Sequence, residues 1–183
     1  VVMYKDPLSL QQTKVVKKWL SDKDAPLFIS GSPGCGKTTL GLHLLKDYHI
    51  VHINSDHLKY SGNLITYIEN SLFKKDILMM CSNKNHYKAL CIDDIQLFIK
   101  YDKINITHII NLLKTIHTHY PVIVISTGIS HKYIDQLYTI SHSIELRYSL
   151  SHYMSILSHD LHKPNISKLS KYIQQSDKNL HTL

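Results

Sequence analysis

The sequence predicts an α/β fold: a mostly parallel sheet of five strands covered by helices on both faces, followed by a small helical segment. Three observations predict it. Short apolar runs of strand length recur along the chain, separated by stretches of helical period, the pattern of a parallel sheet buried on both sides. Residues 31–38 read Gly-Ser-Pro-Gly-Cys-Gly-Lys-Thr, a complete G-x-x-x-x-G-K-T loop between a strand and a helix. From Ser149 onward the pattern turns to helix only.

Taken in order, Ser9 to Leu20 carries Val15, Val16, Trp19 and Leu20 at helical spacing, and the polar stretch Ser21 to Pro26 is a loop. Leu27 to Ser30 is the first strand, and Thr39 to Leu45 the helix after the glycine-rich loop. Ile50 to Ile53 is the second strand; Leu64, Ile65, Ile68, Leu72 and Phe73 then recur at helix period. Ala89 to Ile92 is a short, wholly apolar third strand. Ile106, Ile109, Ile110, Leu113 and Ile116 mark a helix, with Asn105 or Thr107 as its cap. Pro121 to Ile125 and Ile144 to Leu146 are the fourth and fifth strands. Leu150, Tyr153, Ile156, Leu157 and Leu161, then Ile166, Leu169, Tyr172 and Ile173, form helices separated by Pro164. The expected division is residues 1–148 as a nucleotide-binding α/β domain and residues 149–183 as part of a helical lid.

The loop carries the chemistry. Gly31, Gly34 and Gly36 allow backbone angles that a Cβ would forbid. The loop of Gly31, Ser32, Pro33, Gly34, Cys35 and Gly36 then turns amides inward as an anion nest, continued by the positive end of the following helix. Lys37 reaches the β- and γ-phosphates and Thr38 holds Mg2+ through its hydroxyl, with Thr39 beside them among the nucleotide-binding residues. The alternative, a glycine-rich turn with a stray lysine, does not need a strand before it and a helix after it. A second signal is Leu90-Cys91-Ile92-Asp93-Asp94, 56 residues beyond Lys37 (37 to 93). Ligands of open α/β sheets sit at the carboxyl ends of strands. Asp93 is there expected to share the metal, and Asp94 to orient an attacking water. Its bland counterpart is a solvated acidic turn. A third signal is Ile125-Ser126-Thr127-Gly128, where a hydroxyl at a strand end faces the γ-phosphate; polar strand ends are common enough to make this the weakest of the three.

Composition bounds the rest. At 183 residues with 43% apolar content, one domain with a real core is expected. A formal charge of +7 favours a polyanionic partner. Arg147 is the only arginine and alanine occurs only at positions 25 and 89, a bias expected of an AT-rich genome such as a large DNA virus or a parasite. A chain starting at Val1 is expected to be a piece of a longer protein. Cys35, Cys81 and Cys91 lack C-x-x-C spacing, so neither a disulfide frame nor a zinc site is indicated. His108, His117 and His119 lie close in sequence but lack H-E-x-x-H, and read as surface or core histidines. With no membrane-length apolar stretch and no signal peptide, the expected setting is intracellular: nucleus, cytoplasm or a viral replication site.

With these signals in order, the chain resembles the AAA+ ATPases, and among them the clamp loaders, most of all the large subunit of replication factor C. The family's helix before the phosphate loop ends in a Lys-Trp-Leu-like run, here Lys17-Lys18-Trp19-Leu20. Its Asn-Ala-Ser-Asp element after the second strand is here Asn54-Ser55-Asp56, one residue shorter. Its Walker B Asp-Glu is here Asp93-Asp94, and its sensor asparagine is here Thr127. Its fifth strand resembles Ile144-Glu145-Leu146-Arg147-Tyr148. The resemblance implies a P-loop NTPase fold, a three-layer αβα sandwich with a helical lid. It also implies ATP and Mg2+ as cofactors, and Asn54 among the nucleotide-binding residues. Lys37, Asp93, Asp94 and Thr127 would be the catalytic set, and Thr38 and Asp93 the metal ligands. The implied partners are other AAA+ subunits, a sliding clamp and primer–template DNA, with no membrane.

Departures from the family pattern shape the expected activity. Asp94 is one methylene shorter than the usual glutamate, and Thr127 has no side-chain amide. The small clamp-loader subunits have Ser-Arg-Cys before the fifth strand; Ser141-His142-Ser143 stands here. The lid's sensor arginine is expected near Asp177-Lys178-Asn179, where only Lys178 is basic. ATP binding is therefore expected to exceed hydrolysis in the isolated chain. Lys59, Lys74, Lys75, Lys84 and Lys88 are candidate contacts to a DNA backbone or simply a solvated basic face. Three other functions fit the loop: an AAA+ replication initiator or helicase loader, a weakly hydrolysing scaffold subunit, and a small-molecule P-loop kinase. The kinase wants several lid arginines, and the chain has one.

Overall fold

The apolar runs become strands because both faces of each find cover. In the computed structural model, β1 (Leu27–Gly31), β2 (His49–Ile53), β3 (Lys88–Ile92), β4 (Val122–Ser126) and β5 (His142–Leu146) form one sheet. The strand order is β2-β3-β4-β1-β5 and every neighbouring pair is parallel. The structure describes residues 10–59, 63–74, 87–101, 103–127 and 130–147. The expected lid at 149–183, with Lys178 and Asn179, lies outside these residues, as do Gly128, Cys81, Lys75 and Lys84.

Alternation along each strand sorts the core into two layers. Phe28 of β1, Leu90 and Ile92 of β3, and Val122 and Val124 of β4 face one side. There they meet α3 (Leu64–Phe73), α4 (Ile95–Tyr101), α5 (Lys103–Ile116) and α6 (Lys132–Ile140). Leu27 and Ile29, Ala89 and Cys91, Ile123 and Ile125, and Ile144 and Leu146 face the other side, under α1 (Leu10–Asp22) and α2 (Lys37–Leu44). The result is the expected three-layer αβα sandwich. Trp19 anchors α1: its ring is buried and its indole N–H donates to the Ala25 carbonyl at 2.9 Å. Truncating such a residue costs about 3–5 kcal/mol.

Several boundaries differ from expectation for local reasons. α5 begins at Lys103, ahead of Asn105 and Thr107, so neither residue caps it. β4 begins at Val122 because Pro121 has no N–H for the ladder, although its carbonyl still accepts from Leu90 N–H at 2.9 Å. α4 and α6 were not expected at all. Each is short and buries only two or three side chains: Ile95, Phe98 and Ile99 on α4, Ile134 and Leu137 on α6. Their periodicity is too brief to stand out from the flanking apolar runs.

Candidate active site

Because every strand runs the same way, all five carboxyl ends lie along one edge of the sheet. Gly31, Asn54, Asp93, Thr127 and Arg147 therefore share that edge, although up to 116 positions separate them (31 to 147). β1 sits between β4 and β5, so the loop after Gly31 opens beside the end of β4 and one strand away from β3. This is the crevice at which open α/β sheets bind ligands.

The loop has the geometry that its glycines permit. Gly34 and Gly36 have φ of 73° and 82°, in the left-handed region. Gly36 occupies the N-cap position of α2, so Lys37 and Thr38 enter the first helical turn with the helix's positive end facing the loop. At Gly31 a Cβ would stand 2.7 Å from the Leu146 carbonyl oxygen and 2.9 Å from Cys35 Sγ. Cys35 is buried, and burial holds its thiol above the ordinary value of 9.0, so it forms a neutral floor to the loop. Ser32, Pro33 and Thr39 lie exposed around the rim.

Lys37 is 6% exposed. Its ammonium donates to the Ser32 carbonyl at 2.8 Å, and among the described residues no carboxylate pairs with it. A buried cation without a counter-charge is costly, and an anionic group in the nest relieves that cost. Thr38 Oγ1 donates to Asp93 Oδ2 at 2.7 Å, so the two expected metal ligands meet across the site. Hydroxyl and carboxylate oxygens are the hard donors that Mg2+ takes, and the residues present fit that ion. Asp93 is only 8% exposed and is fixed by its own N–H, which donates to the Ile53 carbonyl at 2.7 Å. The neighbouring Cys91 thiol is pushed by its own burial up to about 12, and the charge of Asp93 adds to that shift.

Two residues at this edge escaped sequence reasoning. His52 on β2 places Nε2 3.8 Å from Asp93 Oδ2; that nitrogen is buried and has no hydrogen-bond partner. The available signal was an imidazole interrupting an apolar strand, Val51-His52-Ile53. Gln96, in the first turn of α4, donates Nε2–H to Asp94 Oδ1 at 2.7 Å and accepts the Thr127 N–H on Oε1 at 3.3 Å. Its signal was a side-chain amide two residues beyond a carboxylate at a helix start. Asp94 itself has φ 51° and its carbonyl accepts from Leu97 N–H at 2.8 Å, starting α4. Left-handed backbone at a non-glycine costs about 1–2 kcal/mol.

Other expected residues serve local structure. Asn54 Oδ1 accepts from Asp56 N–H at 3.2 Å and lies 2.9 Å from His57 Nδ1, holding the 3-10 turn Ser55–Lys59. Lys88 is buried rather than part of a basic face: its ammonium donates to the carbonyls of Ser71, at 2.6 Å, and Lys74. It closes the C-terminal turn of α3. Arg147 is well exposed and pairs with Glu145 at 2.7 Å. His142, where the small clamp-loader subunits carry arginine, reaches Asp24 at 2.7 Å instead.

The model of the bacterial DnaA ATPase domain matches residues 5–152, which include all five described strands and the whole of this edge. The chain belongs to the bacterial DnaA ATPase domain family. It is thereby a P-loop ATPase of the AAA+ class, and the match lies with DnaA rather than with the clamp loaders that the sequence resembles. Among solved structures it is similar to a DNA replication initiation factor, at 18% identity and a TM-score of 0.58 over 92% of this chain and 56% of that one. It is also similar to AMPPCP-bound DnaA from Aquifex aeolicus, at 19% identity and a TM-score of 0.55 over 92% of this chain and 57% of that one. The chain thus spans just over half the length of those two proteins. No curated protein matches it. Among the described residues, no helix is long and apolar enough to cross a membrane. The features behind the clamp-loader resemblance have local explanations in this family member. Trp19 is core, and Asn54-Ser55-Asp56 is a hydrogen-bonded turn.

Proposed function

We propose that this domain is the ATP-dependent switch of a replication-initiator-type AAA+ protein, assembling with further copies on DNA when ATP is bound. The observation that carries this reading is the family match across residues 5–152, which contains the loop, Asp93 and Thr127 in one unit. AMPPCP is a methylene analogue of ATP, and its presence in a DnaA of the same fold supports ATP as the ligand.

In this reading the amides of the loop and the Lys37 ammonium bind the phosphates, displacing the Lys37–Ser32 contact. Thr38 and Asp93, whose side chains meet at 2.7 Å, are the residues that would hold Mg2+. The chemistry that Mg2+ supplies when bound is neutralisation of charge on the phosphate oxygens. Asp94 orients the attacking water, and Thr127 faces the γ-phosphate from the end of β4. What the chain does not bring is a free guanidinium. Arg147, the sole arginine, is engaged with Glu145. A cation supplied in trans is worth about 10³-fold or more in phosphoryl transfer. Binding therefore exceeds hydrolysis in the isolated chain.

The charge of +7 fits a DNA backbone as partner, through contacts that carry no sequence information. The test is sedimentation of the protein with ATP, ADP or AMPPCP, each with and without duplex DNA. Assembly on DNA with ATP and AMPPCP but not ADP is expected. Nucleotide-independent behaviour refutes the switch, and ATP-dependent capture of a sliding clamp restores the clamp-loader role in its place.

A further inference from the structure

Gln96 touches both the Asp94 carboxylate and the backbone at the end of β4. Its amide is used at both ends: the NH2 donates to Asp94 Oδ1 at 2.7 Å, and the carbonyl oxygen accepts the Thr127 N–H at 3.3 Å. Asp94 has few other restraints. It follows Asp93 on a left-handed backbone, with its N–H donating to Asp93 Oδ1 at 2.9 Å, so its carboxylate is set by what it bonds rather than by a strand. A planar amide fixes the angle between its donor and acceptor arms. A shift at the end of β4 therefore moves the Asp94 carboxylate with it.

We propose that Gln96 is a positioning residue for ATP hydrolysis, tying the Asp94 carboxylate to the backbone of Thr127 so that the γ-phosphate side of the site sets where the water is held. The proposal rests on the ATPase reading above, with Asp94 as the group that orients water. It adds a residue and a direction of coupling: β4 to Gln96 to Asp94. A purely structural Gln96 would hold α4 in place and affect binding and turnover together through stability. A positioning Gln96 affects the chemical step alone, because neither its donor nor its acceptor arm reaches the phosphate loop.

The test uses the full chain with Gln96→Met, which keeps the length and removes both arms, and Gln96→Glu, which keeps the acceptor for Thr127 and removes the donor to Asp94. ATP affinity is read by equilibrium titration and hydrolysis by single turnover. Wild-type affinity, within about twofold, together with a hydrolysis rate at least about tenfold lower in both variants is expected, since misplacing a reacting group by an ångström costs up to about 10²-fold. Adding Gln96→Met to Asp94→Asn lowers the rate little further, because Gln96 then has no carboxylate left to position. Unchanged turnover, or additive losses, overturns the proposal. Where wild-type turnover is too slow to follow, the Thr127 amide resonance serves instead. Asp94→Asn shifts it in the parent and leaves it unmoved in the Gln96→Met background; no shift in the parent overturns the coupling. Failure of the wild type to bind ATP at all refutes the ATPase reading itself, a separate result.

Discussion

Replacing Lys37 by methionine separates a nucleotide-binding role from a structural one, because the two predict opposite signs. Methionine matches the length and fills the same space, so packing changes little. In the nucleotide-free protein the change removes one hydrogen bond from a charged donor, worth about 1.5–3 kcal/mol, to the Ser32 carbonyl. It also removes an ammonium that is 6% exposed and lacks a carboxylate partner among the described residues. The desolvation relieved is several kcal/mol by the same reasoning. The nucleotide-free variant is expected to be at least as stable as the parent. With ATP the order reverses. At about 100 times Kd, ATP stabilises the parent by about 2.7 kcal/mol. In a chain of this size that raises Tm by about 5–11 °C. Losing the charged contact to phosphate weakens binding by about 2–3 kcal/mol, or roughly 30–150-fold. At the same ATP concentration the stabilisation falls below about 1 kcal/mol and the Tm shift below about 4 °C. Differential scanning calorimetry of both proteins, with and without ATP and Mg2+, reads all four numbers. A variant that keeps the full ATP shift, or a nucleotide-free variant destabilised by more than about 2 kcal/mol, refutes the argument.

Three further outcomes follow from the geometry. Gly31→Ala places a methyl 2.7 Å from the Leu146 carbonyl oxygen at φ 154°, and is expected to cost about 1–3 kcal/mol in urea unfolding; an unchanged midpoint would show that the β1–β5 contact yields freely. Lys88→Met is expected to lower stability by about 1–3 kcal/mol and to speed amide exchange in the last turn of α3, with DNA affinity unchanged; the reverse pattern would return Lys88 to a basic binding face. The hydrogen bond and charge of His142 hold the exposed Asp24 carboxyl below its usual 3.8. Its contribution is then fully present above 3.8 and lost as pH falls through the lowered folded value. Thermal melts should show a small deficit in Asp24→Asn well above that pH that closes below it, and a deficit that grows on acidification would reverse the sign.

What the amino-acid sequence settles by itself is what short-range rules control. The phosphate loop is legible because glycines, lysine and threonine act within eight consecutive residues, 31–38, and the flanking strand and helix are adjacent in the chain. The strands are legible because apolar runs buried on both faces have few other uses. The Asp93-Asp94 step is legible because a carboxylate at the end of such a run has a known place in an α/β sheet. Helices α4 and α6 fall below that threshold, since seven and nine residues complete too few turns to show a period. The strand order was beyond local rules altogether. It places β4 between β3 and β1, and so sets Thr127 between Asp93 and the loop that carries Lys37 along the shared edge. The side-chain pairings depend on that order in turn. Gln96 finds Thr127 across 31 positions, and His52 meets Asp93 only because β2 lies in register beside β3. Lys88 turns inward because carbonyls at the end of α3 lie open to a cation, while Arg147 and His142 meet carboxylates close at hand. Contacts of this kind are set by the distances between elements, and those distances exist only once the sheet has closed its order.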